Sequence, residues 1–298
     1  MAEKFNIYSM VTERILDVMD KGVIPWHRPW VGGSLCVKRK TGEPYSFLNQ
    51  LLLSPDFDGT LESLNSGEFA SFKQISAEGG RLRKGAKGLK VVFWKWYEVK
   101  DTESNEEGAM KRVPVLKYST VFNIKDTNLE PKWTRELTTT AEPDAEAEAI
   151  LTKYWETEGI EVNREGNADS AYYKPSKDSI TLPSIEKFAD TAEYYSTAFH
   201  ESVHSTGHES RLNRISKGMY FGSEDYSKEE LIAEIGASAL VGLCGLETEQ
   251  SFKNNAAYIQ GWRNAIAKDN KLIVSAAGKA EKAVNRILNP VAPSGDMI

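Results

Sequence analysis

The chain has 298 residues and a formal net charge of −6 at pH 7, and 40% of its residues are hydrophobic and 27% charged. This composition is typical of a globular protein of about two domains. Its apolar runs are too short to span a bilayer, so we expect no membrane partner. The two cysteines, Cys36 and Cys244, lie far apart, which excludes a cysteine-built metal site and favours a reducing, cytoplasmic location.

The first half of the chain is predicted to be a mixed α/β domain, residues 1–125. Its N-terminal segment combines charges with apolar residues at helical spacing, which predicts an amphipathic helix rather than a secretory signal. The stretches GLKVVFWKWYEV and PVLKYSTVFNI are rich in β-branched and aromatic residues, which predicts two paired strands. The polar segment KDTESNEEGAMKR between them predicts the loop of a hairpin.

A basic, aromatic segment stands out in this acidic chain, because residues 71–100 hold eight Lys or Arg and only two Glu. Single-stranded DNA is bound by positive grooves with aromatic side chains on which bases stack. The alternative is a solvated basic loop followed by a strand with core aromatics, and Trp94 and Trp96 share a face, so both are core or both exposed. The candidate DNA-binding residues are Trp26, Arg28, Trp30, Arg81, Arg83, Lys84, Lys87, Lys90, Trp94 and Trp96.

Residues 126–145 contain two prolines and a threonine run, which predicts a linker. Residues 146–298 are predicted to form a mainly helical domain with a small sheet, so the chain as a whole belongs to the α+β class. The segment YYKPSKDSITLP predicts two short strands around a turn. Helices are predicted from Ser184 onward, from Ser227 as N-cap with Glu230 completing a capping box, and near 252–269 and 276–288.

Three of the four histidines lie within the segment AFHESVHSTGHESRL. His200 and His204 are four residues apart, so a helix presents both imidazoles on one face. With Glu201 they form an HExxH motif, in which two histidines bind zinc and the glutamate acts as general base. The residues therefore predict a Zn²⁺ site, with Mn²⁺ or another divalent transition metal as the alternative.

The third metal ligand is predicted to come from the later segment YSKEELIAEIGA. A third histidine is disfavoured, because three successive histidines on one helix, with His208 as the third, cannot all reach one tetrahedral ion. We predict Glu230 as ligand and Glu234 as hydrogen-bond acceptor for a ligand imidazole, and the reverse assignment stays open. Glu229 is predicted to point about a quarter turn away from Glu230.

These groups are typical of metal-assisted hydrolysis, with Glu201 as the base. The donor to the developing oxyanion is His208, Tyr220 or Tyr226, and the sequence does not choose among them. The strand DSITLP before the metal helix is expected to bind an extended peptide along its edge, which favours a peptidase over a small-molecule hydrolase. A plain core strand is the alternative.

Several separate blocks together resemble the ArdC antirestriction family. FHESVHSTGHESRLNR, YSKEELIAEIGA and YYKPSKDSITLP look like its zincin-like metallopeptidase domain. GGRLRKGAKG, VFWKWYEV, VFNI, PWHRPW and NQLLL look like the N-terminal domain shared with TraC-type plasmid primases. The family pattern departs at Ala86, where many relatives carry an acid.

The resemblance implies a single-stranded DNA-binding domain, a metallopeptidase domain with its motif at His200, Glu201 and His204, and a plasmid-borne role. That role is the protection of incoming DNA from host restriction during conjugation. The resemblance does not identify a cleaved substrate, and a protein of the recipient host is the candidate. Two alternatives stay open. One is a DNA-binding shield whose metal is purely structural, and the other is a general protease of DNA-associated proteins.

Overall fold

The computed structural model describes residues 6–20, 38–53, 67–101, 109–132, 143–164, 168, 170–188, 190–216, 224–246 and 256–292. Helices combined with two small sheets confirm the predicted α+β class. The elements are α1 (Ile7–Met19), β1 (Lys38–Arg39), α2 (Phe47–Leu53), β2 (Glu68–Ser71), α3 (Phe72–Ala77), β3 (Leu89–Lys100), β4 (Met110–Asn123), α4 (Pro143–Glu158), β5 (Glu161–Asn163), β6 (Tyr172–Lys174), β7 (Ser179–Thr181), α5 (Thr191–Ser205), α6 (Glu224–Leu243), α7 (Ala256–Lys268) and α8 (Leu272–Leu288).

The first sheet has the strand order β1-β2-β4-β3, and the predicted hairpin is its largest feature. β3 pairs antiparallel with β4 along the whole length of β3, from Leu89 opposite Val121 to Lys100 opposite Met110. We call this pair the ribbon. The side chain of Asn49 in α2 donates to the carbonyl of Val92 at 2.7 Å and accepts from its N–H at 2.8 Å, which fixes α2 to β3.

The second sheet has the order β5-β7-β6 and lies beside α5. The two predicted strands are β6 and β7, and they pair antiparallel. β5 pairs parallel with the other side of β7. The DSITLP strand is therefore central and both its edges are taken, so the prediction that it offers a free edge is wrong.

Three predicted helix starts differ from the structure. Ser184 precedes a short 3₁₀ turn, and α5 begins later because Asp190 caps it by accepting a hydrogen bond from the N–H of Glu193 at 2.8 Å. α6 begins at Glu224, so Ser227 lies inside the helix and the predicted N-cap is wrong. α8 begins at Leu272, four residues earlier than predicted.

The predicted linker, 126–145, overlaps ordered structure at both ends. Thr127 is buried and pairs with Leu82, and α4 begins at Pro143. Residues 133–142 lie outside the described part of the chain, so the domain boundaries stay a prediction.

The two halves of the chain contact each other through helices. α1 and α2 pack against α7 and α8, and Thr12 donates a hydrogen bond to the carbonyl of Asn270 at 3.0 Å. Val11 and Phe47 from the first half share one apolar core with Ile273 from the second. Within the part of the chain that the structure describes, no helix has the length and apolar character needed to cross a bilayer.

Candidate metal centre and nucleic-acid surface

The HExxH motif lies on α5, which is held firmly from behind by α4. Trp155 donates its indole N–H to the hydroxyl of Ser202 at 2.9 Å, and the hydroxyls of Tyr154 and Ser205 lie 2.9 Å apart. All four residues are buried. The helix face that carries the two imidazoles is opposite this packed face, as a 3.6-residue period requires.

α6 brings its glutamates to the imidazoles because it packs very closely on α5. The reason for the close approach is Gly236, since a Cβ at that position would lie 2.9 Å from the Cγ2 of Val203. Any side chain larger than hydrogen would push the two helices apart.

Three donor atoms converge between the two helices. The Nε2 atoms of His200 and His204 lie 3.0 Å apart, and the Glu230 carboxylate lies 3.5 Å from the first and 3.3 Å from the second. A tetrahedral zinc site with bonds of about 2.0–2.2 Å has neighbouring ligand atoms about 3.3–3.6 Å apart. The three side chains therefore fit one divalent ion, since one ligand atom from each lies within 4.8 Å of the other two.

The opposite ring nitrogens of the two histidines face two further glutamates. Nδ1 of His200 lies 3.8 Å from Glu234, at the position predicted for a hydrogen-bond acceptor. Nδ1 of His204 lies 3.5 Å from Glu229, which is buried. Glu229 was predicted only to lie about a quarter turn from Glu230, and its contact with the second ring nitrogen of His204 was not predicted.

Glu229 is fixed in turn by Arg214, which sequence reasoning missed. The Arg214 guanidinium contacts both carboxylate oxygens, at 2.7 and 3.1 Å, and also donates to Thr206 and to the carbonyl of Val203. Arg214 and Glu229 thus form a buried ion pair that orients the carboxylate. The segment HESRLNR contains this arginine, but its spacing gives no signal of its partner.

The carboxylates of Glu229 and Glu230 favour positive charge at His204. Burial lowers the pKa of His204, but its contacts with Glu229 and Glu230 outweigh burial and raise that pKa to about 10. Burial raises the pKa of Glu230, yet hydrogen bonds with His200 and His204 hold it well below its usual range. A divalent cation between these side chains would be stabilised by the same carboxylates.

Glu201 lies at a cavity of about 300 Å³ that opens next to the three donor atoms. One of its carboxylate oxygens accepts a hydrogen bond from the backbone N–H of Tyr173 in β6, at 2.7 Å. β6 ends the described strand order of its sheet, and Tyr172 and Tyr173 line the cavity. The strand edge beside the site is thus that of β6, which sequence reasoning missed in favour of β7.

An ion pair fixes β6 to the end of α5. Tyr173 donates its hydroxyl to Asp178 at 2.7 Å, and Asp178 pairs with Arg211, which also donates to the carbonyl of Ser205 at 2.8 Å. Burial raises the pKa of Asp178, but the bonds from Arg211 and Tyr173 outweigh it and lower that pKa.

The three candidate oxyanion donors differ in their position relative to the cavity. Tyr226 lines the cavity. His208 lies beyond the end of α5, where its Nδ1 bonds to Ser210, and it is not among the residues that line the cavity. Tyr220 lies outside the described residues.

The candidate DNA-binding residues that the structure describes are exposed on the first half of the chain. Trp94 and Trp96 share one face of the ribbon and are 49% and 53% exposed, so they are not core residues. The guanidinium of Arg112 lies 5.7 Å from the Trp96 ring, and Lys90 lies 5.1 Å from the ring of Tyr118.

The glycine-punctuated loop before β3 carries the remaining candidate cations. Arg81, Arg83, Lys84 and Lys87 are all exposed, as is Lys90 at the start of the ribbon. The structure thus places these cations next to the exposed aromatic ribbon. Trp26, Arg28 and Trp30 lie outside the described residues.

Comparison with known proteins places this chain in one family. The fold matches a crystal structure of the antirestriction ArdC protein from the R388 plasmid, described as Mn(II)-bound, with a TM-score of 0.71 and 33% sequence identity. The match covers 98% of this chain and 100% of that one. The chain belongs to the ArdC antirestriction family. The metal-free structure of the same R388 protein matches with a TM-score of 0.69 and 34% identity, over 95% of this chain and 97% of that one.

Two family models match separate parts of the chain. Residues 5–122 match the N-terminal domain of anti-restriction factor ArdC, and residues 146–279 match a zincin-like metallopeptidase. A DNA primase TraC from Escherichia coli is 31% identical over 97% of this chain, which spans only 20% of the primase. The resemblance seen in the motifs is thereby confirmed.

Proposed function

We propose that this protein protects incoming DNA from host restriction by combining a single-stranded DNA-binding surface with a zinc-dependent peptidase site. One observation carries the peptidase part of the proposal. The Nε2 atoms of His200 and His204 and the carboxylate of Glu230 converge beside Glu201, at a cavity bordered by an edge strand. The ArdC family membership supports the antirestriction role.

The donor set favours zinc. Two imidazoles and one carboxylate form the His₂Glu ligand set of catalytic zinc sites, whereas manganese favours sites richer in oxygen ligands. When bound, the ion supplies Lewis acidity toward a substrate carbonyl and makes water a nucleophile near neutral pH. The Mn(II)-bound state of the R388 relative makes manganese the first competitor to measure.

The protein's own residues supply proton transfer and positioning. Glu201 accepts the proton of the attacking water, and the N–H of Tyr173 holds its carboxylate toward β6 at 2.7 Å. Tyr226, on the cavity wall, donates to the oxygen on which negative charge develops. An extended peptide that lies along the edge of β6 reaches Glu201, which favours a protein substrate.

The DNA-binding part of the proposal rests on charge and exposed aromatic area. The exposed cations of the loop contact phosphates, and Trp94 and Trp96 offer flat surfaces for unstacked bases. Two neighbouring aromatic rings on one face that are half exposed to water are unfavourably solvated. Binding of a ligand covers them and removes this cost. The substrates of the peptidase are then proteins that bind single-stranded DNA.

The experiment that tests this function is conjugation into a restricting host with wild type, Glu201→Gln and the matched control Glu209→Gln, an exposed glutamate outside the site. Metal content is measured on all three purified proteins. We expect metal to remain bound in Glu201→Gln while protection is lost. If protection survives with metal bound, the hydrolytic role fails, and a DNA-binding shield with a structural metal replaces it.

A further inference from the structure

A second cavity of about 300 Å³ lies in the first half of the chain, at the base of the ribbon. The residues that line it are distant in sequence from the metal centre and include none of the HExxH motif. Phe69, Val91 and Val121 supply a buried apolar floor, and Phe93, which is 46% exposed, stands at its margin. This volume lies at the lower end of the range for small-ligand pockets.

The polar groups of this second cavity are those of a site for an anionic, flat ligand. The guanidinium of Arg39 lies 5.3 Å from the ring of Tyr45 at the cavity wall. Ser71 and Gln74 bond each other in the capping box of α3, and the side-chain amide NH₂ of Gln74 and the hydroxyl of Ser119 add groups that can donate hydrogen bonds to a ligand. Among the described residues that line this cavity, none carries a carboxylate.

Arg39 is accessible to a ligand phosphate. Its side chain is 48% exposed, and its ion pair with Glu43, whose side chain is 73% exposed, is long at 3.7 Å. Such surface pairs are worth little in water, so a phosphate can compete for the guanidinium.

The second cavity continues into a stripe of aromatic and basic residues along one face of the ribbon. Val91 and Ser119 pair at its base, and Phe93 and Lys117 form the next same-face pair outward. Lys95 and Lys117 lie 5.2 and 5.6 Å from the ring of Tyr97, which stands further along the same face as Phe93. Successive same-face residues are about 6.8 Å apart. This is about twice the 3.4 Å rise of a stacked strand, so the stripe suits an unstacked one.

We propose that the second cavity binds one nucleotide unit of the single strand, with its base against the exposed ring of Phe93 and its phosphate on Arg39. This inference rests on the DNA binding proposed above and adds a site on the ribbon face opposite Trp94 and Trp96. A strand that touches both faces crosses β3, which ends the described strand order of the sheet.

The test uses a labelled single strand of mixed sequence and the full-length chain. Ser119→Phe fills the cavity from β4, and Ser76→Phe, at an exposed serine of α3, controls for the added ring. We expect Ser119→Phe to weaken binding by about tenfold, the typical effect of losing one stacked base. The control keeps wild-type affinity. Arg39→Gln is expected to flatten the dependence of log affinity on log salt by about 0.7, the value for one phosphate.

A second pair of measurements keeps the result interpretable. Unfolding midpoints and metal content show whether Ser119→Phe folds, and Phe93→Ala, which opens the cavity margin, is expected to lose affinity as well. Wild-type affinity in folded Ser119→Phe, with an unchanged salt slope in Arg39→Gln, overturns the second site while leaving DNA binding intact. Absence of any binding by wild type overturns the proposed DNA binding itself. Tight binding of free dAMP without an effect of these variants on the strand would assign the cavity to a free nucleotide instead.

Discussion

The metal centre is a site of closely held side chains, whereas the ribbon is an exposed surface. Around His204 both ring nitrogens face fixed carboxylates, and the Glu229 side chain behind it is only 4% exposed. On the ribbon, Trp94 and Trp96 are about half exposed, and the guanidinium of Arg112 lies over the Trp96 ring. A metal site needs its donors held within narrow distances, whereas a surface that binds nucleic acid backbone tolerates side-chain movement.

This difference means that substitutions should act on one region and spare the other. The two regions are connected through α2, which bonds to β3 and packs on α8, and α8 packs on α6. Packing of this kind transmits strain only if an element has two arrangements. Metal binding and DNA binding are therefore both worth measuring for every variant.

The largest expected effect is that of His204→Ala on metal binding. Removal of a ligand should lower metal affinity by more than about 100-fold, which exceeds the usual effect of removing a partner behind a ligand. Metal content and the affinity for single-stranded DNA are measured together, with His208→Ala as the matched control. A parallel decrease in DNA binding would show that the two regions are coupled and would contradict their independence.

Glu229→Gln should lower metal affinity by about 10- to 100-fold, because the amide orients His204 less strongly and leaves Arg214 without its full counter-charge. Titration with Zn²⁺ against a competing chelator measures this. Glu156→Gln, on an exposed part of α4, is the control. Unchanged metal affinity would mean that Glu229 only stabilises the fold. The substitution would then lower the unfolding midpoint without changing metal affinity.

Trp94→Ala should weaken binding of single-stranded DNA by about tenfold, since base–aromatic stacking is worth about 1–3 kcal/mol. Phe72→Ala, at an aromatic residue that is 56% exposed outside the ribbon, should leave affinity unchanged. Fluorescence anisotropy gives both values. Equal behaviour of the two variants would remove the ribbon face from the interface.

The smallest expected effect is that of Arg83→Gln combined with Lys84→Gln. Affinity should fall only a few-fold at moderate salt. The slope of log affinity against log salt should become shallower by about 1.4, or about 0.7 for each phosphate that the variant no longer neutralises. A titration over a series of salt concentrations is sufficient. A parallel line with the wild-type slope would place the loop away from the DNA.

Local sequence patterns were enough to predict several parts of this molecule. The hairpin of β3 and β4 follows from two β-branched runs around a polar loop, and it forms as predicted. The pairing of β6 and β7 around the Pro-Ser-Lys-Asp turn likewise depends on neighbouring residues. In contrast, β5 is only three residues long, and its parallel pairing with β7 has no local signal.

The sequence by itself determined which helix carries His200, Glu201 and His204, because a four-residue spacing puts two side chains on one face of any helix. It also determined that Trp94 and Trp96 share a face. Only the tertiary structure decided which glutamate meets which ring nitrogen, because that depends on how closely α6 approaches α5 at Gly236 and Val203. The packing of two helices is set by side chains distant in sequence, so no local pattern could place Glu229 behind His204.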